Sequence, residues 1–164
     1  MNAIVSVCAD WAIGKDGGLL VRNPVDMRFF RDATLGGTVI CGRLTFESFP
    51  GGALKGRRNV VLTTSPTFCA TGAEVARDVE SALALVADAN PDEVWAIGGE
   101  SVYRSLLPYC KRAYVTKNDT VCPADTFFPN LDADDAWRLV ESREGGVTPD
   151  GVPFSFCVYE RCDR

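Results

Sequence analysis

The sequence predicts a three-layer α/β fold in which a central, mostly parallel sheet carries helices on both faces and ends in an antiparallel hairpin. Three observations carry that prediction. Short apolar, β-rich runs alternate with helical patterns through most of the chain. The last part changes to alternating or aromatic-rich runs around a turn rich in glycine. The 164 residues, 46% apolar and 24% charged, suit one domain over 1–164 with a substantial core.

The first strand is expected at residues 3–8, an apolar run opening the chain. A long connection follows, and its segment Ile13-Gly14-Lys15-Asp16-Gly17-Gly18-Leu19-Leu20-Val21 sets three glycines among apolar residues, the composition of a mobile lid over a pocket. The first helix is expected at 24–34, with Asn23 as its N-cap, Pro24 in the first position and Asp26 in the third. A carboxylate there is favoured by the helix dipole whatever its function. Asp26 also shares a helical face with Phe29, Phe30 and Ala33, so it points along an apolar stripe and requires a partner. A ligand with paired N–H donors would satisfy it.

Strands are expected next at 38–41, 59–63, 93–97 and 113–117, with helices at 43–48, 79–87 and 100–107. In open α/β sheets ligands gather at the carboxyl ends of the strands, which makes the residues just after each strand informative. Gly42-Arg43-Leu44-Thr45 follows the second strand and Thr63-Thr64-Ser65-Pro66 the third. Ile97-Gly98-Gly99 follows the fourth and leads into a helix ending near Pro108. Glycines let a ligand approach the backbone, helix N-termini favour anions, and the guanidinium and hydroxyls are suitable phosphate contacts. Each turn alone is explicable as local structure, but together they suit a dinucleotide. Arg57 and Arg58 precede the third strand, where either solvated surface charge or a bidentate clamp on a substrate carboxylate fits. The final hairpin is expected from runs at 137–144 and 154–160 around residues 145–151.

Composition narrows the chemistry. No histidine is present, so acid–base work falls to a carboxylate, tyrosine, lysine, thiol or water, and no metal site is expected. The seven scattered cysteines, without a C-x-x-C pair, read as buried reduced thiols. The net charge of −5, with dispersed Lys and Arg, argues against a nucleic-acid partner. No window approaches the roughly 20 apolar residues that span a bilayer, and the N-terminus lacks the features of a signal peptide. No membrane association, and cytoplasmic residence, are expected.

Asp26, Gly42-Arg43-x-Thr45, the segment Leu54 to Asn59, Ile97-Gly98-Gly99-x-x-Val102-Tyr103 and Asp125-Thr126-x-Phe128-Pro129 occur in the order and spacing of one family. Over nearly its whole length the chain resembles dihydrofolate reductase. The resemblance implies an eight-stranded sheet and reduction of 7,8-dihydrofolate by NADPH, with hydride delivered to pterin C6 and protonation at N5 promoted by Asp26. It implies a monomer that also binds antifolate inhibitors.

On the substrate side, it implies that Asp26 holds the pterin, that Thr116 supports Asp26, and that Phe30 packs on the rings. Arg57 clamps the glutamate α-carboxylate, and Leu54 lines the same groove. Ile4 and Ile97 offer carbonyls to the 4-amino group of inhibitors, and Val5 and Met27 adjoin them. On the cofactor side, Gly98 and Gly99 approach the pyrophosphate through a cis peptide, flanked by Glu100, Ser101 and Val102. Gly42, Arg43, Leu44, Thr45, Leu62, Thr63 and Thr64 hold phosphates and adenosine ribose, helped by Arg77. Tyr103 lies beside the nicotinamide, and Ser6, Ile13, Gly14 and Leu19 adjoin it from the first strand and lid.

Two departures stand out. The family usually has tryptophan five residues before the carboxylate, with proline common ahead of it, and here those positions are Val21 and Leu20. Ser101 stands where a basic residue often grips the 2′-phosphate. The same cofactor turns would also suit a same-fold pyrimidine reductase of riboflavin synthesis or a non-catalytic nucleotide-binding module. Neither calls for Asp26 together with Arg57.

Overall fold

Strand β1 (Asn2–Cys8) has parallel neighbours on both sides and is buried along almost its whole length, as an apolar run without polar alternation requires. The computed structural model describes residues 1–162, so the last two positions of the expected 1–164 domain lie outside the described residues. After β1 come β2 (Ala12–Lys15), β3 (Gly18–Leu19), α1 (Pro24–Thr34), β4 (Thr38–Gly42), α2 (Arg43–Glu47), β5 (Arg58–Leu62) and β6 (Ala73–Ala76). The chain continues through α3 (Val79–Leu85), β7 (Val94–Gly98), α4 (Glu100–Leu106), β8 (Arg112–Asn118), β9 (Thr126–Phe127), β10 (Trp137–Val147) and β11 (Pro153–Arg161).

Eight strands form one sheet in the order β10-β11-β8-β1-β7-β4-β5-β6. From β8 to β6 every pairing is parallel, and the β10–β11 hairpin joins β8 antiparallel at one edge. The expected fold class holds. Residue patterning does not single out β6, because this four-residue edge strand buries only Ala76 fully.

Strand alternation sends side chains to opposite faces. Ile4, Val39 and Trp95 form one buried cluster with Phe29, Phe30 and Ala33 of α1, and Cys41 and Val61 extend that side beneath Phe46 of α2. Ala3, Val5, Ile40, Val60 and Ala96 face the other way, toward Ala82 of α3 and Val102 and Leu106 of α4. Helices α2, α3 and α4 end one or two residues before the expected boundaries, α4 by tightening into a 3-10 turn at Leu107–Tyr109 around Pro108.

The segment expected as a mobile lid is a paired ribbon. Strand β2 bonds to β3 on one side and β9 on the other, and Phe128 N–H donates to the Trp11 carbonyl at 2.8 Å. Buried Trp11 stacks on Phe128 and meets Tyr159 edge-on, which anchors the base of the ribbon while its tip, residues 15–19, is exposed. Two-residue strands such as β3 and β9 hold too little alternation to be read from sequence.

All seven cysteines are free thiols. Burial pushes Cys41 and Cys110 up to about 12 and Cys8 up to about 11, which suppresses the thiolate. Cys157 is also buried, but Cys69 is exposed and Cys122 and Cys162 are half-buried, so the expectation of burial fails at those three. They lie outside the packed strand interiors.

Gly37 enters β4 so tightly that a Cβ there would run into the Glu93 carbonyl oxygen and lie 3.2 Å from that of Thr34. Both obstacles are main chain and cannot swing aside. Gly37→Ala is expected to cost about 1–3 kcal/mol, read as a lower urea midpoint at unchanged slope. A midpoint equal to that of the unaltered chain would contradict this packing.

Candidate active site

The first turn of α1 sets Asp26 against β8. Asn23 caps the helix by accepting the Asp26 N–H at 3.1 Å, so the capping reading of this segment is correct. The carboxylate has a second role as well. It lies half-buried on the α1 face of the sheet, where Thr116 Oγ1 donates to Asp26 Oδ1 at 2.5 Å. Burial raises the pKa of this carboxyl above its ordinary value, and the Thr116 bond opposes that shift without cancelling it. No Lys or Arg pairs with Asp26 among the described residues.

The other end of α1 carries the opposite charge. Arg57 donates through Nη1 to Thr34 Oγ1 at 3.2 Å and through Nε to the Lys55 carbonyl at 3.0 Å, and has no carboxylate partner among the described residues. Burial and the neighbouring Arg31 charge lower its pKa. Arg58 is different, since Glu74 holds it at 2.5 and 3.0 Å and the Leu85 carbonyl at 2.7 Å, tying β5 to β6 and α3. The structure therefore separates two arginines that residue pattern alone leaves equivalent, and it is Arg57, the one the resemblance singles out, that has no carboxylate partner among the described residues. Asp26 and Thr34 are eight residues apart on one helix, about 12 Å along its axis. Phe30 and Leu54 pack on the apolar surface between them.

The glycine turns meet at the adjacent ends of β4 and β7. Helices α1 and α3 have side-chain caps, Asn23 and Asp78, whereas α2 and α4 begin on Gly42 and Gly99 with none. Their first-turn N–H groups are left for an outside acceptor. The Gly98–Gly99 peptide is cis, and Gly98 has φ +113°, in the region that favours glycine. A Cβ on Gly98 would lie 3.1 Å from the Tyr103 ring, one on Gly42 3.4 Å from Val102, and one on Gly99 3.5 Å from Thr45 Oγ1. Tyr103 is buried, with its hydroxyl donating to the Ile4 carbonyl at 2.7 Å, and burial raises its pKa.

Several residues expected at the site have other partners. Arg43 spans both Glu47 oxygens at 3.1 Å, and the Glu100 carboxylate accepts the Phe127 N–H at 2.7 Å. Arg77 binds the carbonyls of Ser65, Pro66 and Phe68, and Thr63 Oγ1 accepts the Ser65 N–H at 3.2 Å. Val5 and Val102 turn their side chains into the core cluster behind the sheet. Leu19, Met27, Leu44, Thr64 and Ser101 are exposed, while Leu62 is half-buried beside the end of β5.

A small cleft opens between the end of β1 and the ribbon, lined by Ser6, Ile13, Leu19, Leu20, Val21 and Asn118 among others, and Gly14 lies beside Ile13 in β2. Sequence reasoning missed Asn118, a polar residue two places beyond Thr116 on the same face. That spacing was the available signal.

A sequence model described as dihydrofolate reductase matches residues 1–161. The chain belongs to the dihydrofolate reductase family. It is 38% identical over 157 residues to dihydrofolate reductase of Neisseria gonorrhoeae, covering 95% of each chain. It is 38% identical over 154 residues to that of Mycobacterium tuberculosis strain H37Rv, covering 91% of this chain and 90% of the relative. A solved structure of dihydrofolate reductase from Enterococcus faecalis, complexed with NADP(H) and RAB-propyl, superposes with a TM-score of 0.86 at 33% identity, covering 99% and 96% of the two chains. Membership of this family over nearly the whole chain sets aside the pyrimidine-reductase and nucleotide-module readings.

The raised pKa of Asp26 has a stability consequence. A carboxyl whose folded pKa exceeds the unfolded value near 3.8 contributes stability below 3.8 and loses it as pH rises through the folded value. Asp26→Asn cannot ionise and still accepts from Thr116. It is expected to gain on the order of 1 kcal/mol at neutral pH, the scale of an undercompensated buried polar group, and to flatten the decline in stability between 3.8 and neutral pH. Urea unfolding across that range checks both, and an unchanged or lower stability at neutral pH would refute them.

Proposed function

We propose that this chain reduces 7,8-dihydrofolate to 5,6,7,8-tetrahydrofolate with NADPH, and that Asp26, Thr116 and Arg57 are its principal substrate-side residues. One observation carries the substrate assignment. A half-buried carboxylate and a guanidinium without a carboxylate partner among the described residues stand at opposite ends of α1 with apolar surface between them. That is the complement of a ligand with N–H donors on a ring at one end and a carboxylate at the other. Asp26 takes the pterin N3 and 2-amino donors, Phe30 and Leu54 take the ring system with Met27 at its edge, and Arg57 takes the glutamate α-carboxylate. The carbonyls of Ile4 and Ile97 serve the 4-amino group of antifolates, with the Val5 main chain beside them.

NADPH when bound supplies hydride to pterin C6. The uncapped starts of α2 and α4 and the close approach at Gly42, Gly98 and Gly99 support its placement there. In this reading Thr45, Thr63 and Thr64 hold phosphate and ribose oxygens beside Leu44 and Leu62, and Ser6, Ile13, Gly14, Leu19 and Tyr103 surround the nicotinamide. Arg43 reaches phosphate by leaving Glu47, and Arg77 supplies further positive charge. Glu100, Ser101 and Val102 contribute main chain at the start of α4. Asp26 promotes protonation at N5, most directly through water, since its raised pKa lets the carboxyl hold a proton closer to neutrality. Thr116 keeps one carboxyl oxygen in place during that transfer.

The proposal takes the chain as one domain acting as a cytoplasmic monomer. Among the described residues no helix is long and apolar enough to cross a membrane.

NADPH oxidation with dihydrofolate tests the reading. Asp26→Asn is expected to lower turnover at least about tenfold near neutral pH, and unchanged turnover would remove Asp26 from the mechanism. Arg57→Leu is expected to weaken dihydrofolate binding by about 2–5 kcal/mol with cofactor affinity nearly intact. An equal loss for both ligands in a titration would make Arg57 structural.

A further inference from the structure

Asn118 joins three elements through one buried amide. Its Nδ2 donates to Ser6 Oγ at 2.9 Å and to the Val7 carbonyl at 3.0 Å, and its Oδ1 accepts from Asn23 Nδ2 at 3.3 Å. Asn118 is 1% exposed and Asn23 3% exposed, so neither has water as an alternative partner.

The direction of every bond in this relay follows from main chain at its two ends. The Asp26 N–H can only donate, so Asn23 presents oxygen to it and NH2 to Asn118. Asn118 must then present oxygen to Asn23 and NH2 to Ser6, which agrees with the Val7 carbonyl, a group that can only accept. Ser6 Oγ is thereby held as an acceptor toward Asn118. Its proton has to point elsewhere, and it has no acceptor among the described residues. Ser6 is half-buried and lines the cleft between β1 and the ribbon.

Resting on the cofactor reading above, we propose that Asn118 is a positioning residue that turns the Ser6 hydroxyl into a fixed donor in this cleft, for the carboxamide oxygen of the nicotinamide. The cleft selects a neutral acceptor. Its lining, Ser6 to Cys8, Ala12, Ile13, residues 19–21 and Asn118, contains no charged side chain that would compensate a carboxylate or phosphate. A small cleft without charged walls and with one directed hydroxyl suits a neutral carbonyl group reaching into its mouth.

The test compares binding of NADPH and of its thionicotinamide analogue, whose sulfur is a weaker acceptor, by fluorescence without folate. Ser6→Ala is expected to weaken NADPH about fivefold and the analogue much less, so that the preference of the unaltered chain narrows. Asn118→Leu is expected to narrow it equally, and the double variant no further, because both changes remove one donor. Should leucine at 118 prevent folding, Asn118→Thr carries the same expectation in a strand-compatible residue. Equal weakening of both ligands in Ser6→Ala, no weakening, or additive losses in the double variant would overturn the inference. Turnover with dihydrofolate is followed in parallel. Active enzyme without a Ser6 effect overturns this inference alone, and failure of the unaltered chain to bind NADPH overturns the cofactor reading with it.

Discussion

The hydrogen bond from Thr116 to Asp26 joins residues 90 positions apart and fixes a carboxylate where neither water nor a cation fully compensates it. The contrast with Glu74 shows what that choice means. Arg58 meets Glu74 with two charge-assisted bonds, which lower the carboxyl's pKa and engage both of its oxygens. Asp26 has one neutral hydroxyl donor instead, so its remaining oxygen valences and its affinity for a proton are available to whatever enters. Arg57 is the reciprocal case, a guanidinium bonded among the described residues to a hydroxyl and a carbonyl and to no carboxylate. Complementary charges are satisfied where they hold strands together and left incomplete at the two ends of α1.

The other half of the site follows the same logic with main-chain groups. Side-chain capping satisfies the starts of α1 and α3, where Asn23 and Asp78 accept first-turn N–H groups. Helices α2 and α4 forgo it, and both start beside each other at the sheet centre, where Thr45 approaches Gly99. Each is too short to carry much dipole. Their value lies in open N–H groups and the close access that a missing Cβ allows.

Much of this was legible in the sequence, for identifiable reasons. The α1 boundaries were readable because Asn23-Pro24 marks the start and a single apolar stripe runs through Phe29, Phe30 and Ala33. The buried parallel strands were readable as apolar runs. The ribbon was not, since its pairing joins β2 to β9 across more than 100 residues and each strand has only two to four. Residue pattern alone does not separate Arg57 from Arg58, which the family resemblance does by singling out Arg57. The reason for the difference is tertiary, since Arg58 opens β5 and meets Glu74 of β6 while Arg57 lies just before the strand and meets Thr34 of α1. Arg43 and Glu100 were correctly placed at helix starts, but their carboxylate and N–H partners depend on side-chain reach that spacing does not specify.

The register of β1 against β8 ultimately decides whether these groups form a site. Ile4 pairs with Tyr114, Ser6 with Thr116 and Cys8 with Asn118, so the polar members fall on consecutive rungs of the α1 face. A one-residue slip would turn Thr116 and Asn118 into the cluster behind the sheet and leave both Asp26 and Asn23 unmatched. The alternation of β8 opposes that slip, since its Ala113 and Val115 fill the opposite core together with Ala3, Val5 and Val7 of β1. Hydrophobic burial on one face thus fixes the polar chemistry on the other. This is how an ordinary core requirement positions Thr116 and Asn118 opposite the start of α1.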